Sequence, residues 1–276
     1  MTHREKVLLL DRDHPISLTR QCELMDISRA SAYYQPMVDE QDVKIMSLID
    51  KIFTDYPFYG SRRIRYELGQ TYQILIARDH VRRLLRIMGI EAIYPKSKPN
   101  TSLANEQHRK YPYLLKDLPI IRPNQVWGTD ITYIKLETSW CYLIAFIDWF
   151  SRYVISWELS PTLEIPFCLT ALERALKTAA PEISNTDQGS HFTSEQFLNP
   201  LLNKNVKISM DGRGRCMDNI FTERLWRTVK YENVFLKSYR TIGEATVGLN
   251  DYFQFYNTKR PHQSLDYQIP TAVYFY

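Results

Sequence analysis

Residues 126–159 read VWGTDITYIKLETSWCYLIAFIDWFSRYVISWEL. Three runs within them, 126–136, 140–149 and 152–159, are dense in β-branched and aromatic residues, the types that suit a pleated, half-buried surface. The breaks at Glu137 to Ser139 and Phe150 to Ser151 are short enough for hairpins. Three consecutive antiparallel strands are expected. One residue in the first strand is out of character. Asp130, in WGTDIT, places a carboxylate where side chains should be half buried, which is costly unless the group is paired or binds a metal.

Downstream, the pattern predicts a helix over 164–179, a short strand ending near Asp187, a helix over 194–203, a short strand over 206–209 and a long helix over 217–232. An amphipathic helix over 243–258 and a proline-punctuated end, NTKRPHQSLDYQIPTAVY, follow. A meander followed by alternating helix and strand gives an α/β class with a mixed sheet flanked by helices.

Upstream, residues 95–120 are rich in Pro, Asn, Ser and Lys and read as a linker with few core residues. Before it the chain reads as helical. Residues 14–34 form two short helices, with Ser28 or Ser31 as a cap and Leu18, Cys22, Leu24 and Ile27 as a small apolar face. Residues 39–54 carry Val43, Ile45, Met46, Ile49, Ile52 and Phe53 at close to helical period. Residues 61–68, capped by Ser61, and 78–88, stopped at Gly89, form a further pair. In the last helix Val81, Leu84, Leu85 and Met88 make the buried stripe, and Arg78, Arg82, Arg83 and Arg86 occupy the other faces. This pair, with Arg62 and Arg63, is the better DNA-binding candidate. The expected division is 1–94 helical and DNA-binding with helix-turn-helix-like segments, 95–120 linker, 121–240 core, and 241–276 C-terminal helix and tail.

The charge distribution agrees. The chain of 276 residues has a net charge of +4. Residues 1–125 hold 20 Lys and Arg against 15 Asp and Glu, and 126–276 hold 15 against 16. Residues 58–100 alone hold nine against three, an excess that suits phosphate contact. Hydrophobic residues at 44% and charged residues at 24% are ordinary for a globular protein. No apolar run approaches the roughly 18 residues that span a bilayer, so no membrane partner and a cytoplasmic, nucleoid-associated location are expected. Cys22, Cys141, Cys168 and Cys216 form no CxxC pair and read as reduced, partly buried thiols.

Asp130, Asp187 and Glu223 stand out together: one inside a strand, one at a strand end, one on the long helix. Singly they are ordinary, since Asp-Gln-Gly is most often a turn and a helical Glu a solvated residue. Jointly they supply what Mg²⁺ or Mn²⁺ favours, oxygen ligands from a few carboxylates plus substrate phosphate. Two such ions about 4 Å apart serve phosphoryl transfer. Asn219 and Lys230 lie four residues before and seven after Glu223, so all three share a helix face. Lys230 is expected to hold a DNA phosphate or base there. Arg224 and Arg227 are placed to touch DNA backbone, and Phe221, Leu225 and Val229 to pack the helix onto the sheet.

The stretches WGTDITYI, AFIDWFSRYVISW, NTDQGSHFTS, MDGRGRCMDNIFTERLWRTVKYE and YNTKRPHQSLDYQIP closely resemble the ORF B product of insertion-sequence-3 family transposases, relatives of retroviral integrases. YPFYGSRRI and RRLLRIMGI resemble the helical segment ahead of that family's core. The resemblance implies an RNase H-like catalytic core, Asp130, Asp187 and Glu223 as its metal-binding triad, and a basic residue seven after the glutamate, here Lys230. Two positions depart from the family: His191, where Gln is common, and Cys216, where Trp is common. The implied activity is metal-dependent DNA cleavage and strand transfer. Water attacks a phosphodiester at an element end and frees a 3′-OH, which then attacks a second phosphodiester. The implied partners are double-stranded DNA, further copies of the chain on that DNA, and an ORF A partner or fusion. Two rivals are a catalytically silent DNA-binding relic or transposition inhibitor, and a nuclease that only hydrolyses. Gly189 is expected to turn the backbone sharply and leave room near the substrate. His191 is expected either to touch DNA or to make a structural hydrogen bond.

Overall fold

The computed structural model describes residues 3–33, 39–93, 111–211 and 219–276. Cys216, residue 94 and residues 95–110 of the expected linker, and the first two residues of the expected long helix lie outside the described residues. The three expected strands are β1 (Val126–Lys135), β2 (Trp140–Asp148) and β3 (Val154–Ser160), paired antiparallel in sequence. Two short strands, β4 (Ile183–Thr186) and β5 (Lys207–Met210), join parallel on the other edge of β1. The order is β3-β2-β1-β4-β5. β1 is therefore central, and Asp130 sits in the middle of the sheet, opposite Ala145.

The sheet separates two cores because its residues alternate. Val126, Ile134, Leu143, Ala145 and Ile147 point to one face; Trp127, Ile144 and Phe146 point to the other. The second face is covered by α7 (Ile165–Thr178) and α8 (Glu195–Leu202), through residues such as Phe167, Leu172, Phe197 and Leu201. The first face is covered by α9 (Ile220–Val229), through Leu225, Trp226 and Val229. α9 runs into a π-helical turn over Lys230–Val234 and then α10 (Phe235–Lys237). The sequence pattern ended the helix at 232 with no wide turn; the extra residue of that turn has no periodic signature.

α11 (Ile242–Thr258) joins the first face as well, burying Ala245, Leu249, Tyr252, Phe253 and Tyr256 in the same cluster. The boundary expected at 240 thus crosses one continuous core. The short α12 (Pro270–Phe275) closes the chain. At the other boundary, residues 111–120 pack where a linker was expected. Leu115 is buried, Tyr113, Leu118 and Ile120 lie against the first core, and the Leu114 amide donates to Ser209 Oγ at 3.1 Å. The polar composition hid six apolar residues spaced through the segment.

The helical region holds α1 (His3–Leu8), α2 (Leu18–Leu24), α3 (Arg29–Tyr33), α4 (Glu40–Asp55), α5 (Ser61–Tyr72) and α6 (Arg78–Ile87). In the first pair Cys22 is buried but Leu24 is exposed. The second pair has a proper core: Ile45, Ile49 and Ile52 of α4 meet Ile64, Leu68, Val81 and Leu84, while Val43 is exposed. Ser61 does not cap α5. Gly60 holds that position and Ser61 is the first helical residue, its hydroxyl accepting from Arg78 Nε at 3.4 Å. Gly89 ends α6 with φ +67, as a C-terminal glycine should. Among the described residues no helix is long and apolar enough to cross a membrane.

Candidate active site

β1 carries the first carboxylate. Asp130 faces α9: its Oδ1 accepts from the Ile131 amide at 2.7 Å and its Oδ2 from Trp226 Nε1 at 3.0 Å. Loss of solvent, and then the negative charges of Asp187 and Asp211, push its carboxyl up to about 7. Two hydrogen bonds do not offset that crowding. α9 comes this close because residue 128 is glycine. A Cβ there would run into Trp149 Nε1 and come within 2.8 Å of Thr222 Oγ1 and 3.2 Å of Asn219 Oδ1.

Asp187 follows directly on β4, at the carboxyl end of a parallel strand. Its Oδ1 accepts from the Gly189 amide at 2.8 Å. Desolvation raises its carboxyl above the ordinary range; the Gly189 N–H and His191 pull the other way and do not prevail. Gly189 has a different use from the one expected. A Cβ on it would lie 2.9 Å from Asp187 Oδ1, so the room it leaves is for the carboxylate itself. His191 takes the structural alternative, with Nε2 bonded to Leu163 O at 2.8 Å.

Glu223 lies exposed in the first turn of α9, its carboxyl raised by partial desolvation. Trp226 and Lys230 follow it at three and seven residues, on one helix face. Lys230 is half-buried, and burial lowers its ammonium while the charge of Asp130 works against that drop. Glu223 and Lys230 thus flank the helix face that meets Asp130. Asn219 does not belong to the open face. It is buried at the start of α9, donating to Thr129 O at 3.4 Å and accepting from Thr222 Oγ1 at 2.5 Å. Its part is to seat the helix on β1.

The arginines divide similarly. Arg78, Arg82 and Arg86 form an exposed row at four-residue spacing along α6. Arg83 is tied back to Asp42 at 2.5 Å. Arg62 donates to Gln263 at 3.2 Å. Arg63, expected to meet DNA, instead pairs with buried Glu232 at 2.7 Å and lies over the Tyr59 ring. Arg224 and Arg227 are exposed on α9.

Residues 121–216 match the family model described as Integrase core domain, residues 204–270 match a second model of that description, and residues 40–98 match an HTH-like domain. The transposase for insertion sequence element IS904 of Lactococcus lactis subsp. lactis (strain IL1403) is 31% identical over 217 residues, 77% of this chain and 85% of that one. The chain belongs to the insertion-sequence-3 family of transposases. Transposase InsF for insertion sequence IS3A of Escherichia coli (strain K12) is 32% identical over 196 residues, 68% of this chain and 67% of that one. The fold is also that of a chain in the cryo-EM structure of the simian T-cell lymphotropic virus intasome in complex with PP2A regulatory subunit B56 gamma. That likeness has a TM-score of 0.50 at 16% identity, over 83% of this chain and 74% of that one.

For this transposase the general activity is DNA transposition on an RNase H-like integrase core with a helix-turn-helix-like region ahead of it. The HTH-like match covers α4 to α6 and not the first helical pair, as the arginine-bearing α6 led one to expect. Two residues at the site escaped the sequence reading. Trp226 donates to Asp130. Asp211, one residue beyond β5, accepts from Asn185 Nδ2 at 2.8 Å and adds its charge to the field on Asp130. Asp211 had a signal: like Asp187, it ends a parallel strand, where α/β sheets place ligand-binding residues.

Proposed function

We propose that this transposase cuts DNA at its element's ends and joins the freed 3′-OH to a second phosphodiester, with Asp130, Asp187 and Glu223 as the catalytic carboxylates. The observation that supports this most is the state of Asp130. Its carboxyl is desolvated and faces two further carboxylates, and among the described residues Lys230 is the cation whose charge couples to it. A buried acid without a compensating charge is what a cation site looks like when its donors are all hard oxygens. By donor type Asp130, Asp187 and Glu223 suit Mg²⁺ or Mn²⁺ and would hold two such ions together with substrate phosphate. When bound, such ions polarise phosphoryl oxygens and lower the pKa of water.

The chain's own residues do the rest. Trp226 fixes the Asp130 carboxylate by its indole N–H, and the Gly189 amide fixes that of Asp187. Lys230 offers an ammonium to a DNA phosphate beside Asp130. The exposed row on α6, with Arg62, Arg224 and Arg227, gives sequence-independent phosphate contacts, most of them from the helical region ahead of the catalytic core. Two ends have to be held together for joining, so the working form is a homo-oligomer on double-stranded DNA, with ORF A as partner or fusion.

The test is a cleavage and joining assay on the element's terminal DNA with Mg²⁺ or Mn²⁺, run beside Asp187→Asn. Metal-dependent joined product that disappears in the variant is expected. DNA binding without product, with ORF A also present, would sink the catalytic reading in favour of a silent DNA-binding protein.

A further inference from the structure

The face of α9 turned away from Asp130 has its own constellation. Phe221, Arg224, Leu225 and Thr228 line an open pocket of about 370 Å³ with Arg63, Arg152, Arg260 and His262. The residues arrive from three places: Arg63 from α5, Arg152 from the β2–β3 hairpin, and Arg260 and His262 from the segment after α11. Two of the quoted motifs, FSRYV and KRPHQ, thus meet in space although neither contributes to the carboxylate cleft.

Four guanidiniums face one pocket. Two carboxylates lie close by. Glu232 is occupied by Arg260, through Nε at 2.7 Å and Nη2 at 2.8 Å, and by Arg63 at 2.7 Å. Asp148 accepts from the Asn124 amide at 2.8 Å and from the Ser151 amide and hydroxyl at 2.8 and 2.6 Å. Two positive charges remain over. Glu232 offsets one of Arg63 and Arg260, and Asp148, whose charge reaches Arg152, offsets one of Arg152 and Arg224, so each pair carries one positive charge over. Arg152 Nη1 is shut off from solvent without a hydrogen-bond partner, and its guanidinium lies 3.6 Å from the centre of the Phe221 ring. Burial holds its pKa down at about 10; Tyr256 and Asp148 pull it back up without prevailing, and the charge of Arg224 adds to the drop. His262 is kept well below its ordinary value by burial and by Arg260, Arg63 and Arg152, so it stays neutral and adds no charge. A crowded, desolvated guanidinium is costly, and an oxyanion entering the pocket that Arg152 lines offsets its charge and takes several charge-assisted hydrogen bonds at once.

We infer that this pocket is a binding site for a phosphate-class oxyanion, held by Arg152, Arg224 and Arg260 on the side of α9 opposite the carboxylates. The group is either a phosphodiester of the DNA backbone or a free phosphate. Only the first source rests on the transposase mechanism proposed above. Phe221 and Tyr256 wall the pocket, and Gln263 at its rim has an amide to add.

The experiment is calorimetric titration of the full chain with inorganic phosphate at constant ionic strength, against chloride. One saturable site is expected. Arg224→Gln removes an exposed rim guanidinium and is expected to weaken it about ten-fold or more. Arg240→Gln, which removes an equal charge from an exposed pair with Glu137, is expected to leave it unchanged. Arg152→Gln is expected to abolish it, with circular dichroism to establish folding, since Arg152 holds φ +64 in its hairpin. A second series includes a short duplex. Loss of the phosphate heat assigns the site to backbone phosphodiester; retention assigns it to free phosphate. No saturable heat in the wild type, or equal weakening by Arg224→Gln and Arg240→Gln, overturns the inference. A chain that takes phosphate but never joins ends keeps this site and loses the proposed mechanism; the converse result does the reverse.

Discussion

Two acids lie beneath the same helical run, and their environments drive them apart. Asp130 is pushed up to about 7, while Glu232 is held down at about 2. Both are desolvated. The difference is company. Glu232 has Arg260 and Arg63 on its oxygens and the Tyr252 hydroxyl donating at 2.8 Å. Among the described residues Asp130 has an amide, an indole N–H, the charge of Lys230 and the repulsion of two other carboxylates, and its carboxyl still stays high. A buried charge that the protein has neutralised itself is part of the architecture. One that it has left unneutralised points outward, to a ligand.

The largest effect expected from breaking this contrast is chemical. Asp130→Asn or Asp187→Asn should lower joining by at least roughly a thousand-fold, the rate equivalent of several kcal/mol of lost metal-assisted stabilisation, read in the end-joining assay. Asp130→Asn should also change stability with the opposite sign. An acid whose folded value lies above its ordinary 3.8 penalises the native state as pH rises from about 4 to about 7, after which the penalty is constant. Metal-free wild type should therefore lose melting temperature across that window while the variant lacks that component. Mg²⁺ or Mn²⁺ at pH 8 should restore the wild type alone.

Glu232 should behave in mirror image. Glu232→Ala leaves Arg260 buried and uncompensated and should cost about 3–5 kcal/mol in urea unfolding. In the wild type its contribution should be complete above its ordinary 4.5 and disappear as pH falls toward about 2. A smaller loss is expected for Gly128→Ala, about 1–3 kcal/mol for overpacking, because the new methyl meets Trp149 and Thr222. Joining should fall with it as α9 is lifted from β1. The smallest effect belongs to Arg82→Gln. It should weaken DNA binding evenly across sequences and flatten the slope of log affinity against log salt by about one. Sequence-selective loss would show that Arg82 reads bases.

Much of the carboxylate side was legible in the sequence, because its signals are local. β-branched runs located the sheet, and an aspartate within the central run was conspicuous by chemistry alone. Arg78, Arg82 and Arg86 were legible from helical spacing. The arginine side was not. Arg63 and Glu232 are 169 residues apart in the chain, and no periodicity ties them. Arg63 read as a surface cation for the same reason that Asn219 read as a cleft residue: a one-dimensional helix face does not reveal what packs above it. Residues 111–120 failed differently. Their prolines and charges outweighed Leu115, whose burial depends on a core assembled from later sequence.

The wide turn at Lys230–Val234 has a consequence for anyone who rebuilds this molecule. It lets Lys230 keep company with Asp130 while Glu232, two residues on, meets Arg63 and Arg260. The turn is a phase-setting gear between two halves of the protein, and deleting one residue to straighten it would rotate everything downstream by about 100°. A chimaera that grafts a foreign helix-turn-helix region onto this core has to inherit the tooth count of that gear along with the arginine that engages it.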